Sequence, residues 1–188
     1  DKVFGNFLSS LLTAKSFQRN LRKDQIRFDA NIELFYLYPN RFQPKPKAEI
    51  TKLLGIQENE PFVIMRFVSW DAYHDKGLQG FTNENKIIAV QAFSNYAKVF
   101  ISAEKKLSAA LEPYKIQIPP EKMHDVMAHA KLFFGESGTM ASESAVIGTP
   151  AIYYDTKGRC YTKEEEKEYN LIWNFKNSQG LIETALKL

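Results

Sequence analysis

Cysteine is nearly missing from this chain: among 188 residues there is one, Cys160, together with three histidines. A lone thiol forms no internal disulfide and has no companions at zinc-ligand spacing, which excludes a disulfide scaffold and fits a reducing compartment. His124 and His129 lie five apart on one expected helix and share no face, so no metal site is expected from them. Gly-x-Gly-x-x-Gly, a Walker-type Gly-Lys-Ser/Thr and a nucleophile elbow are all lacking, which argues against dinucleotide dehydrogenases, P-loop ATPases and α/β hydrolases. The apolar runs are strand-sized, well short of the roughly 18 residues of a membrane span, and no leader-like charged-then-apolar stretch opens the chain. A soluble, cytoplasmic protein with no membrane span and no required cofactor is the expectation.

What is present is enough for a core. The chain is 44% hydrophobic and 13% aromatic, sufficient for one folded domain with an appendage. Its net charge of +3 is unevenly spread. Residues 1–47 carry nine Lys or Arg against four Asp or Glu, a balance of +5, and the remainder sixteen against eighteen, a balance of −2. The basic cluster Arg19, Arg22, Lys23 and Arg27 lacks the interleaved aromatics or reading motif of a nucleic-acid binder, and a solvated face accounts for it. No nucleic-acid partner is expected.

In the leading segment Phe4, Phe7, Leu8, Leu11 and Leu12 recur at helical spacing, predicting an amphipathic helix or two whose face seeks a partner surface. Ile32–Tyr38 reads as strand-like or extended, and Pro39, Pro44 and Pro46 as a linker. A boundary is placed at Lys47. Residues 1–47 form an N-terminal helical segment and linker, and 48–188 a separate domain; with Asp1 rather than methionine at its start, the segment is expected to be the remnant of a preceding domain.

From Ala48 the pattern alternates. Helices are expected over 48–54, 83–96, 105–114, 121–130, 139–147 and 178–186, and strands over 62–68, 98–102, 115–118, 131–134, 151–154 and 171–175. Alternation at this spacing implies βαβ units with right-handed crossovers, hence a Rossmann-like three-layer α/β/α sandwich with a parallel sheet of about six strands. Ligands of such sheets bind beyond the carboxyl ends of the strands. That rule selects the loops 69–80, 102–106, 118–124, 136–143 and 155–161.

The stretch Phe133 to Asp155 carries the strongest local signal. A turn at Glu136-Ser137-Gly138-Thr139 leaves an apolar strand and enters a helix, offering backbone N–H groups and two hydroxyls where the helix dipole favours an anion. Gly135 and Gly138 are expected to supply positive φ. N-capping alone explains either hydroxyl, so structural need and phosphate binding select the same residues. Glu143 falls one turn into that helix on the face of Thr139 and Ile147, where a carboxylate can accept both hydroxyls of a ribose; complementing the helix dipole or pairing with a lysine are the alternatives. In the loop after the first strand, His74 with Asp71 or Asp75 could serve acid–base work, and Arg66 or Lys76 could meet phosphate. Histidines beside aspartates are also common on inert surfaces. His74 and Asp75 stand as the catalytic candidates.

Gly135-Glu136-Ser137-Gly138-Thr139-Met140-Ala141-Ser142-Glu143-Ser144-Ala145, followed by Gly148-Thr149-Pro150-Ala151, resembles the nucleotide-sugar motif in the C-terminal domain of GT-B proteins. It is most similar to that of UDP-N-acetylglucosamine 2-epimerases and of an uncharacterised prokaryotic GT-B-like group. The latter also resembles the segments 36–46 and 66–70. The resemblance implies that Ser137, Gly138 and Thr139 face a diphosphate and that Glu143 holds the ribose; Glu136, from the same turn, and Arg66, from the loop reading, are placed with them in the expected nucleotide-sugar site. It implies a UDP-sugar ligand and, in an intact enzyme, glycosyl transfer or 2-epimerisation across a cleft between two domains. The epimerase histidine–arginine pattern is absent around His74. A non-catalytic nucleotide-sugar binding or assembly module, dimeric or docked to a missing domain through the N-terminal apolar face, is the alternative.

Overall fold

The computed structural model describes residues 10–70 and 80–188. Its centre is a five-stranded, all-parallel sheet in the order β4-β3-β5-β6-β7: β3 (Phe62–Phe67), β4 (Lys98–Ala103), β5 (Leu132–Gly135), β6 (Ala151–Tyr154) and β7 (Ile172–Phe175). The Rossmann-like three-layer arrangement is therefore present. Strands buried on both faces must be apolar throughout, and Phe62–Met65 and Leu132–Phe134 are. Val63, Met65, Phe67, Val99, Ile101 and Phe134 pack on one face beneath α3 (Asn83–Ser94) and α7 (Leu181–Ala185). Phe62, Ile64, Phe133 and Tyr153 pack on the other, against α2 (Lys47–Leu54), α4 (Met123–Met127) and α5 (Gly138–Ile147).

A sixth strand over 115–118 reduces to one parallel bridge, Ile101 to Lys115, with the Ile116 amide donating to the Ile101 carbonyl at 2.9 Å. That bridge adjoins the outer edge of β4, so the chain follows the doubly wound order with its far strand barely formed. The helix expected over 105–114 is instead a turn and a single 3₁₀ turn, Glu112–Tyr114. Pro113 lacks the amide a helix interior requires. Likewise 121–130 shortens to a 3₁₀ turn, Pro120–Lys122, leading into α4.

Helix α6 (Cys160–Tyr169) is not among the expected elements. CYTKEEEKEY has no apolar stripe, and the residues it buries are Thr162 and Glu165. It packs against α5 and β7 by polar contacts and ends at Asn170 in the left-handed conformation (φ 52°).

The leading segment is the larger correction. Leu11 and Leu12 lie not on a helix but in β1 (Leu11–Ala14), paired in parallel with β2 (Gln25–Phe28) in a separate two-stranded sheet; Phe4, Phe7 and Leu8 lie outside the described residues. Alternation decides the outcome: Leu12 is 61% exposed while Leu11 and Thr13 are half-buried. Part of the basic cluster serves the connection between the strands. The Arg27 guanidinium donates to the carbonyls of Phe17, Gln18 and Arg19 and to Asn20 Oδ1 at 2.7–3.4 Å. Ile32–Tyr38, expected to be extended, contains the single helical turn α1 (Leu34–Leu37), since Glu33 and Leu37, one turn apart, are buried together. Among the described residues no helix is long and apolar enough to cross a membrane.

Candidate functional site

Strand order reverses between β3 and β5, whose carboxyl ends lie side by side with Arg66 opposite Gly135. A cleft of about 330 Å³ opens there, lined by Ser69, Trp70, Glu104, Ser137, Thr139 and Arg159 among others. Ser137 caps α5 in extended conformation, its Oγ accepting the Met140 amide at 3.3 Å. The first two helical amides, of Gly138 and Thr139, lie outside the helix's own ladder and carry the positive end of its dipole. Trp70 borders the same cleft with φ 57°, a costly conformation for a bulky residue and one that tends to collect at functional sites.

Neither glycine of the turn has the positive φ expected of it. Each is required by crowding instead. A Cβ on Gly135 would collide with the backbone carbonyl of Arg66 on the neighbouring strand, and one on Gly138 would meet the Tyr161 hydroxyl at 2.7 Å and the Tyr153 hydroxyl at 3.0 Å.

The expected site residues divide. Ser137, Gly138 and Thr139 line the cleft. Glu136 borders it, but its carboxylate turns inward, accepting the Val68 amide at 3.0 Å and the Phe81 amide, and burial raises its pKa above the usual carboxylate range. It ties the end of β3 to the approach of α3. Arg66 donates through Nη1 to Ser102 Oγ at 2.7 Å and through Nη2 to Glu104 at 2.8 Å. Burial pushes the Glu104 carboxylate up, but the Ser69 amide and Arg66 outweigh it and hold the group below its ordinary value. Arg66 therefore orders the loop wall rather than lining the cleft. His74 and Asp75 lie outside the described residues, as do Asp71 and Lys76.

Glu143 is 9% exposed. Its Oε1 accepts the Tyr36 hydroxyl at 2.9 Å and lies 3.1 Å from His124 Nε2. The hydrogen bond to Glu143 raises the His124 pKa against the opposing effect of burial. His129, in the turn beyond the end of α4, meets the Lys45 carbonyl at 2.6 Å. Among the described residues no group of acidic, histidine or cysteine side chains could hold a metal ion.

Arg159 and Tyr161, in the loop 155–161 selected by the strand-end rule, line the cleft without having been named individually from the sequence. Arg159 sits at the rim beside the α5 N-terminus, its Nε 3.1 Å from Asp155 Oδ2 and 3.4 Å from the Tyr153 hydroxyl. Tyr161 lies against Gly138, its phenol pushed up to about 12 by burial. Thr139 and Tyr161 also form the wall shared with a second cavity of about 450 Å³, roofed by the N-terminal sheet and lined by Phe17, Phe28, Ile32 and Tyr36. Beneath it Glu165 accepts Ser142 Oγ at 2.6 Å and Asn31 Nδ2 at 2.9 Å, while its Oε2 is buried without a hydrogen-bond partner. Burial raises its pKa to about 7.

No family model and no curated protein matches the chain. Among solved structures it is similar to a variant of the wall teichoic acid polymerase TagF, at a TM-score of 0.49 and 8% identity, over 98% of this chain and 50% of that one. The chain thus spans half the length of that polymerase chain.

Proposed function

We propose that this chain is the nucleotide-sugar binding half of a GT-B-type glycosyltransferase or of an enzyme like the UDP-N-acetylglucosamine 2-epimerases, with a UDP-sugar as its ligand. The observation that carries the reading is the cleft at the β3/β5 reversal, where the α5 N-terminus and the Arg159 guanidinium converge on one space. Two amides on a helix dipole and a guanidinium make an anion site, and a diphosphate offers the matching charge. Glu143 follows Thr139 by one turn, about 6 Å along the axis, a suitable offset for a ribose whose phosphates rest on the turn. In an intact enzyme the same donors would stabilise the departing diphosphate as the anomeric bond breaks. Opposing catalytic groups would come from another domain or a second copy, seated on the N-terminal sheet where Leu12 and Ile26 are exposed.

Calorimetric titration of UDP, UDP-N-acetylglucosamine, ADP and pyrophosphate into the protein tests this directly. Binding of UDP and pyrophosphate, weakened at least about tenfold by Arg159→Ala, is expected from one lost charge-assisted contact. No heat at millimolar ligand would sink the reading. Incubating the full-length protein with the sugar nucleotide but no acceptor, and looking for an inverted sugar carbon, separates epimerase from transferase.

A further inference from the structure

The Glu143 carboxylate is already engaged. Tyr36 donates its hydroxyl to Oε1 at 2.9 Å, and His124 Nε2 approaches the same oxygen at 3.1 Å. The tyrosine comes from 107 positions away, on a helix of one turn, and its ring lies 6.0 Å from the His124 ring. Tyr36 lines the second cavity, which meets the anion cleft at Thr139 and Tyr161. The Tyr36 hydroxyl thus holds the Glu143 carboxylate from the side of the second cavity, which shares Thr139 and Tyr161 with the cleft at the α5 N-terminus. We infer that Tyr36 is a built-in competitor for the sugar hydroxyls of a nucleotide: its phenol occupies the Glu143 oxygen that a ribose diol needs, and nucleotide binding displaces it. The inference rests on the nucleotide reading above and adds its control.

The chemistry is an exchange of like for like. A phenol donor leaves the carboxylate and one or two ribose hydroxyls replace it, so each bound nucleotide loses part of its binding energy to the displaced contact. Displacement also frees α1, a single turn whose backbone bonds include Leu37 N–H to Glu33 at 2.9 Å. Nucleotide occupancy would thus be felt in the N-terminal segment.

Two probes separate this from the underlying reading. Pyrophosphate has no ribose and never meets Glu143, whereas UDP does. In Tyr36→Phe, UDP affinity should rise about tenfold while pyrophosphate affinity stays unchanged, the gain expected when one hydrogen bond to a carboxylate no longer has to be broken. UDP binding that is unchanged or weakened in Tyr36→Phe, with pyrophosphate binding intact, overturns the competitor role and leaves the anion site standing. If the unaltered protein binds neither probe, the nucleotide reading fails and takes this inference with it. Hydrogen exchange on the unaltered protein gives a variant-free check: UDP, but not pyrophosphate, should speed exchange of the Leu37 amide, and slowing would overturn displacement.

Discussion

At the scale of single residues, the buried carboxylates set the chemistry more than the basic surface does. Glu165 is 1% exposed, with Oε1 accepting two hydrogen bonds and Oε2 accepting none. Its ordinary value of 4.5 rises to about 7, so folding favours its protonated form. The stability this contributes is complete below about pH 4.5 and is lost as pH climbs through about 7. Glu165→Gln should remove that slope and raise stability at pH 8 by up to about 3 kcal/mol, read from denaturant unfolding at several pH values. His124 acts in the same direction: its raised pKa adds stability below its ordinary value of 6.5 that fades as pH rises past the higher folded value. In His124→Gln the part of the slope above pH 6.5 should flatten. Gly138 offers a steric test. Gly138→Ala should cost about 1–3 kcal/mol, the range for overpacking a filled site. Adding Tyr161→Phe, which removes the hydroxyl 2.7 Å from the new methyl, should recover part of it in thermal unfolding.

At the scale of elements, periodicity located what is covered on two sides and lost what is not. β3 and β5 are continuous apolar runs, and α5 is bracketed by the Ser137 cap and by Gly148 at φ 95°, so each was legible within a residue or two. α6 was invisible because its buried face is Thr162 and Glu165, and no hydropathy pattern marks a helix held by polar contacts. The N-terminal strands were misread because Leu11 and Leu12 fit a helical stripe and a half-buried strand equally well over so few residues. In the site, the turn Ser137-Gly138-Thr139 could be found locally. The partners of Glu143 could not, since Tyr36 and His124 are brought to it only by the tertiary fold. Gly148 is the elemental control on the steric argument: a Cβ there meets nothing within 4 Å, yet the left-handed φ penalises it. Gly148→Ala should cost about 1–2 kcal/mol by equilibrium unfolding, and no second-site hydroxyl removal should restore it.

At the scale of the molecule, two sheets of unequal support share one chain. The five-stranded sheet is buried on both faces, whereas β1 and β2 are half-exposed and are followed by a connection that is tied to the larger body by Asn31 on Glu165, Tyr36 on Glu143, the Lys45 amide on Asp125 at 2.9 Å and the buried Leu37. Local opening costs least where apolar contacts are fewest. Amides of β1 and β2 should exchange with solvent at a lower opening free energy than those of β3 and β5. Equal protection across both sheets in native-state hydrogen exchange would count against this separation.

The backbone contact of Gly135 with Arg66 extends to how this sequence can vary. With the neighbouring strand's carbonyl where a Cβ would go, no rotamer choice relieves the clash, because the obstacle is main chain. In a saturation library scored for folded yield, position 135 should behave as a switch, tolerating glycine and rejecting even alanine. Position 148, where only the dihedral resists, should give a graded series with asparagine and aspartate near the top. The contrast would map, from survival counts alone, where two strands of the sheet touch behind the cleft.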